Sequence, residues 1–446
     1  MTTRTNRNEK TGKELFLERA AAYYDDMKAA AEHAPYGQIF HHAEAFAIKE
    51  GRELVRQSLE TMLQEQIDDI EKKKETSLCP KCQTKKRHRG YRNKKIESAT
   101  GPVRLERRYD ECLPCRLPEH AVDQPLGIED RYTKGFRRLA VRAGTNGSFD
   151  EAAEDMYEYC GLKVSHMTIR EICQQEAPKM AEWQRNSSEV HKDFMETPGV
   201  IEVAVDGTYV NTTDGWREVK IGMFSKRELG EGVLPDQWDD RRLPRPGARV
   251  AFASVEKKDR FRRRFGQWIR RLRIDEKTDV SALGDGAVWI WDLILLEFGK
   301  TRENLDVYHG LEKISTLGKV LYGEETENYQ KWREETTLEL MWNGFELIEK
   351  RLNILESGKW KTREKEAIRR LRGYLERNRD RLSYRERLGE GRAIGSGQVE
   401  GACKNMIGRR LKQTGARWRV RRLNRMTMLC AVRYSSHWKL YWKNAH

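Results

Sequence analysis

Two Cys-x-x-Cys pairs, Cys79-Pro-Lys-Cys82 and Cys112-Leu-Pro-Cys115, limit most narrowly what this chain can build. Four thiolates at the corners of a tetrahedron form a zinc donor set, and the ion supplies folding energy that a short module cannot draw from a core of its own. The stretch between the pairs, GYRNKKIESATGPVRLERRY, alternates in strand fashion around a Thr-Gly-Pro turn. Knuckles at the ends of a hairpin describe a zinc ribbon holding one structural Zn²⁺. The gap between the pairs exceeds the commonest zinc spacings, so unrelated buried or redox cysteines are the competing reading. Lys85, Lys86, Arg87, Arg89 and Arg92 stand ready to touch phosphates. Cys160, Cys173, Cys403 and Cys430 are scattered among apolar residues of helical segments, where core packing accounts for them.

That reading of the cysteines presumes a reducing compartment. The start, MTTRTNRNEKTGKE, lacks the apolar core of a secretory signal. The longest apolar run, VWIWDLILLEF, is interrupted by Asp292 and Glu297 and falls short of the ~20 residues that cross a bilayer. A cytoplasmic protein is expected. Lys and Arg number 85 against 70 Asp and Glu, a net charge of +15, so the chain attracts polyanions and nucleic acid becomes the default partner.

At 446 residues the chain is long enough for about three domains or more. Apolar residues recur at helical spacing from Ala30 to Lys74, a long amphipathic helix within an N-terminal helical region, 1–75. It serves either as a dimerisation arm or as packing for the next module, the zinc ribbon at 76–126. Region 127–195 has the outline of a helix-turn-helix: Ser148 and Ser165 stand as N-caps, Gly144 and Gly161 as stops. Its last helix would carry Ser165, His166, Thr168 and Arg170 to base edges. A plain three-helix packing unit is the other possibility. From 196 to 310 strand-like runs alternate with helices, the texture of an α/β core. Residues 311–392 lose strand character and read as a charged all-helical insertion, and 393–446 are again helical and strongly basic. The fold class expected is therefore multidomain α+β.

Asp206 follows the apolar run Ile201–Val205 and precedes Gly207; Asp285 repeats the arrangement in ALGDG. Acids presented at the same end of neighbouring strands can share a divalent cation. An Asp-Gly pair is also a common turn, so each alone says little. Glu400, at the start of a helix in GSGQVEGACKNMIGRRLK, adds a third carboxylate.

The segments VAVDGTYV, ALGDGAVWI, DVYHGLEK and GSGQVEGACKNMIGRRLKQTGARW resemble DDE transposases of the Kra-type insertion-sequence group, related to the Mutator-like enzymes. Asp306-x-x-His309 is similar to the (Cys/Asp)-x-x-His signature of Mutator-like enzymes. The resemblance implies an RNase H-like core interrupted by a helical insertion before the Glu helix. It also implies Asp206, Asp285 and Glu400 as ligands of two Mg²⁺ or Mn²⁺, with His309 as an accessory group or else a structural histidine at a strand end. A two-metal site cleaves a phosphodiester and passes the freed 3′-hydroxyl to a target strand by in-line displacement. Element ends and target DNA become the partners, in a homodimer or larger synaptic assembly associated with the nucleoid of a prokaryotic cell. Arg263 and Arg264 on one helix, with Arg409, Arg410, Lys412 and Arg417 beyond Glu400, are the expected phosphate contacts. Trp418 either stacks on an unpaired base or packs in a core. Asp292, two turns after Asp285, is read as solvated. The alternative functions are a non-catalytic or domesticated DNA-binding regulator and a metal-dependent endonuclease without strand transfer.

Overall fold

A computed structural model describes residues 10–73, 78–275, 277–299 and 302–444, so the expected boundary at 75/76 and the helix end at Lys74 lie outside the described residues. The chain divides into two compact units, 1–172 and 173–446.

In the first unit, helix Gly12–Glu32 opens on a capping box in which Thr11 and Glu14 satisfy each other's backbone N–H groups. A second helix, Ile39–Lys73, returns alongside it, as Arg19 bonded to Thr61 and the Tyr23 ring tilted against Phe46 show. The single helix expected from Ala30 onward is thus two. Pro35 and a left-handed Gly37 (φ 82°) break the backbone there, although the apolar spacing continues through the break. The second helix lays Leu59, Leu63, Ile67 and Ile70 on Ile96, Val103 and Leu105 of a hairpin, so its packing role is realised. That hairpin is β1 (Arg87–Ser98) and β2 (Gly101–Cys112), extended by a short β3 (Leu117–Glu119). Helices Lys134–Gly144 and Phe149–Cys160 follow. Ser148 forms a capping box with Glu151 and Gly161 closes its helix in the left-handed region at φ 67°. Gly144 is instead a last helical residue, and Thr145 is the cap.

The second unit holds a five-stranded mixed sheet in the order β6-β5-β4-β7-β8. β4 (Val200–Thr212), β5 (Gly215–Arg227) and β6 (Ala248–Ser254) form an antiparallel meander, while β7 (Val280–Gly284) and β8 (Arg302–Leu305) run parallel to β4. Side chains alternate across a sheet. Val203, Val205, Phe224, Val250 and Phe252 bury one face against helices Lys258–Arg271 and Val288–Phe298. Glu202, Ala204 and Asp206 face the other way. Between β8 and residue 390 lie helices Val307–Tyr322, Glu327–Asn343, Phe345–Glu356 and Thr362–Arg377, which close a separate core around Ile314, Trp332, Leu340, Ile348, Leu371 and Tyr384. Among the described residues no helix is long and apolar enough to cross a membrane.

Candidate functional site

The cysteine cluster is assembled from local turns. Cys79 is placed by its N–H donating to the Thr84 carbonyl (2.9 Å), and Cys112 ends β2 with Arg116 N–H donating back to its carbonyl at 2.7 Å. The four Sγ atoms all lie within 4.8 Å of one another, with Cys82 and Cys112 3.4 Å apart. Cys79 and Cys112 are buried, Cys115 half-buried and Cys82 exposed. The set can hold a structural zinc ion. Its thiols also divide their protons unequally: the hydrogen bond with Thr84 brings Cys82 down to about 6, and Cys82 in turn pushes Cys115 up to about 12.

The acids are assembled across the sheet. β4 and β7 are paired in parallel up to Ala204 with Leu283, and two residues beyond that pair on each segment come Asp206 and Asp285. Asp206 does not end its strand as expected, because β4 runs on to Thr212 in its hairpin with β5. Gly207 N–H donates to Asp206 Oδ1 at 2.6 Å and the Cys403 thiol donates to Oδ2 at 2.9 Å. Burial raises the Asp206 pKa above the ordinary carboxylate value; Cys403 and Gly207 pull against it, and the charge of nearby Asp285 adds to the rise. Asp285 forms an Asx turn, accepting from Ala287 N–H at 2.9 Å. Gly286 sits at φ 91° with Leu305 and Tyr374 3.1 Å from where a Cβ would stand, so only glycine fits there.

Helix Gly397–Ala402, which carries Glu400, lies against the same face of the sheet. Gln398 bonds Glu202, Cys403 bonds Asp206, and Lys412 Nζ donates to Thr208 Oγ1 at 2.5 Å, three residues on one face of β4 met in turn by one segment. Residues Cys403–Gly408 widen into a π-helix, a departure from regular winding that recurs at functional sites. The Glu400 side chain is 56% exposed and paired with Lys404 at 2.6 Å. Among the described residues the three acids do not gather within 4.8 Å as the cysteines do. Uncompensated carboxylates repel one another.

Asp306 and His309 differ from expectation. The segment ENLDVYHG is not one strand: β8 stops at Leu305 and Asp306 caps helix Val307–Tyr322. Asp306, 2% exposed, accepts four hydrogen bonds: from Tyr308 N–H (2.7 Å), His309 N–H (3.2 Å), Ser396 N–H (2.5 Å) and the Ser396 hydroxyl. With its lone pairs so engaged it is a clamp that fixes the approach to the Glu400 helix. His309 lies in the first turn of that helix, part-exposed and 3.6 Å from Glu312, close enough for its charge to pull Asp206 downward.

Of the expected nucleic-acid contacts, Ser165 caps helix His166–Asn186 through Thr168 N–H (3.2 Å), His166 is exposed and 3.0 Å from Asp150, and Arg170 is half-buried. Arg263, Arg409, Lys412 and Arg417 are exposed, while Arg264 is engaged with Glu256 at 2.8 Å. Arg410 is a correction: it is 3% exposed, its guanidinium 5.0 Å over the Trp418 ring, and cannot reach solvent phosphates. Trp418 itself is packed, its indole N–H bonded to Leu411 O at 3.1 Å, which excludes base stacking. Lys86, expected at the surface, is buried against Glu119 at 2.8 Å. Asp292 is exposed beside Lys258, as read. Sequence reasoning missed Cys403, which it assigned to core packing; its position three residues after Glu400, hence on the same helix face, was the available signal. Cys173 and Cys430 are buried as expected.

No protein-family model matches the chain, and no curated protein matches it at a significant level.

Proposed function

We propose that the chain is a DDE-type DNA transposase of an insertion sequence, binding the element's terminal repeats and cutting and joining DNA at Asp206, Asp285 and Glu400. The observation that carries this reading is the convergence on one sheet face of Asp206, Asp285 and the helix bearing Glu400, bonded to Asp206 through Cys403. A mixed sheet ordered β6-β5-β4-β7-β8, followed by a helical block and then the Glu helix, supports an RNase H-like core with an insertion.

The donor set suits Mg²⁺ or Mn²⁺, since carboxylate oxygens are hard ligands and Asp206 is desolvated beside the like charge of Asp285. When bound, two such ions would supply a nucleophilic oxygen and stabilise the leaving 3′ oxygen. Asp206 and Asp285 would hold them on the rigid sheet. Glu400 would exchange Lys404 for the ions, and His309 would face the phosphate. The zinc ribbon and the helices at 134–186, read as a helix-turn-helix, would bind duplex DNA, with the enzyme acting as a dimer or larger assembly on paired ends at the nucleoid.

A second reading, a DNA-binding regulator with a degenerate centre, is favoured by the Glu400–Lys404 pairing. One experiment separates them. Wild type, Asp206→Asn and Asp285→Asn are incubated with Mg²⁺ and duplexes carrying the DNA that borders the gene. The transposase reading predicts cutting by wild type and its loss by about a thousandfold, or ~4 kcal/mol of barrier, in both variants with binding retained. Wild-type cutting by either variant removes that acid from the site; binding without any cutting favours the regulator.

A further inference from the structure

The helical block between β8 and the Glu400 helix carries a groove of about 770 Å³ between helices Val307–Tyr322 and Thr362–Arg377. Five cations line it, Lys313, Arg363, Arg369, Arg370 and Arg377, against a single carboxylate, Glu366. Glu366 engages only Arg370, and Lys313 stands 3.9 Å from Glu312. Arg363, Arg369 and Arg377 are exposed and form no ion pair with the described residues. A surface helix ordinarily intersperses both signs, and the opposite side of this one does so: Arg372 is bound by Glu356 at 2.8 Å and lies 3.9 Å from Glu349. Three of the five groove cations thus have no ion-pair partner among the described residues.

Arg363, Arg370 and Arg377 recur every seven residues, close to two helical turns, and so form one row. At 1.5 Å per residue the row extends about 21 Å, which equals the rise of roughly six phosphates of one strand along a duplex axis at ~3.4 Å each. The end of the groove is tied to the acid centre. Tyr374, in its lining, donates its hydroxyl to the Asp285 backbone oxygen at 2.9 Å, and burial together with the Asp285 and Asp306 charges holds that hydroxyl protonated.

We infer that this groove is a track for the phosphodiester backbone of DNA, leading the substrate strand across the helical block to the Asp206–Asp285 centre. The inference rests on the nucleic-acid reading of the acid centre and names where the strand lies outside it. An acidic protein surface would satisfy the charge alone; continuity with a phosphodiester-cleaving centre favours DNA.

Gly373 offers a clean test. It lies in the groove lining on helix Thr362–Arg377, and an added Cβ there meets nothing within 4 Å. Glu and Lys also suit a helix interior better than glycine does. In the full chain with a 30-base-pair duplex of bordering DNA and no divalent cation, affinity is measured across salt concentrations. Gly373→Glu is expected to weaken binding at least fivefold, Gly373→Lys to tighten it, and the double change Arg369→Gln, Arg377→Gln to reduce the salt slope by about 2. Equal affinity and slope in all four proteins overturns the track, as does weakening by Gly373→Lys equal to that by Gly373→Glu, which would report a steric effect. Failure of the catalytic reading looks different: the charge series holds while wild type cuts no DNA under Mg²⁺.

Discussion

The cysteine cluster and the acid centre are both donor sets, and they are built in opposite ways. Cys79, Cys82, Cys112 and Cys115 come from two tight turns joined by one hairpin, and their sulfurs already stand within 4.8 Å of one another. Asp206, Asp285 and Glu400 come from a strand, a loop and a helix, and Glu400 is turned to Lys404. A thiol cluster can keep most of its protons and so gather with little charge, whereas carboxylates at neutral pH cannot. A structural site can therefore be preformed by its own turns. An acid centre that would take up ions, as proposed above, need not close without them, and the scaffold does the positioning. Here the scaffold includes two unconventional parts, the Cys403 thiol on Asp206 and the Asp306 clamp on Ser396.

The largest effect expected from that contrast is on the cysteines. Chelation of the zinc-loaded protein, or Cys112→Ser, should unfold the hairpin, because a structural zinc contributes roughly 10–16 kcal/mol of apparent energy to a small module. Metal content and strand circular dichroism check this; an unchanged hairpin would make the cysteines ordinary core. Next comes the clamp. Asp306→Ala removes a helix cap and leaves buried N–H groups of the Ser396 turn unanswered, a loss of about 3 kcal/mol by denaturant titration. Cutting should fall further than stability explains, since the approach to Glu400 is released. Cys403→Ala should cost about 1 kcal/mol and Cys403→Ser much less, because a hydroxyl can still donate to Asp206; equal losses would reduce Cys403 to packing.

The smallest effect concerns pH. Burial, followed by the Asp285 charge, raises the folded pKa of Asp206 above its ordinary value near 3.8, so folding favours its protonated form. Without divalent cation, stability linked to this group is fully present below pH 3.8 and is lost as pH climbs through the raised value. Asp206→Asn removes the loss. The cation-free variant should melt a few degrees above wild type at neutral pH, with the gap closing in acid. A variant that melts lower at neutral pH would show that the carboxylate is well solvated.

Legibility in the sequence followed the range of the determinants. The hairpin, its cysteines and the caps at Ser148 and Gly161 were readable because each depends on residues a few positions apart. Strand alternation around Asp206 was readable for the same reason, though its continuation to Thr212 depends on the pairing with β5. The helix break at Pro35–Gly37 was hidden by apolar residues that keep helical spacing on both sides. The start of helix Val307–Tyr322 was hidden because NLDVY has strand-like composition while the Asp306 carboxylate acts as a cap. Arg410 looked like part of a basic surface until residues distant in sequence closed over it, Cys173 and Cys430 among them. The Cys403–Asp206 contact joins residues 197 apart, and the one local hint of it is that Cys403 follows Glu400 by three residues.

Whether the open acid centre is a working one turns on Glu400, the member least held by the scaffold. The decisive comparison is DNA cutting under Mg²⁺ by wild type, Glu400→Gln and Lys404→Ala, each with its DNA affinity measured alongside. If Glu400 leaves Lys404 to join the two aspartates, Glu400→Gln loses cutting by about a thousandfold at unchanged affinity while Lys404→Ala still cuts. Cutting by Glu400→Gln at the wild-type rate would contradict the account.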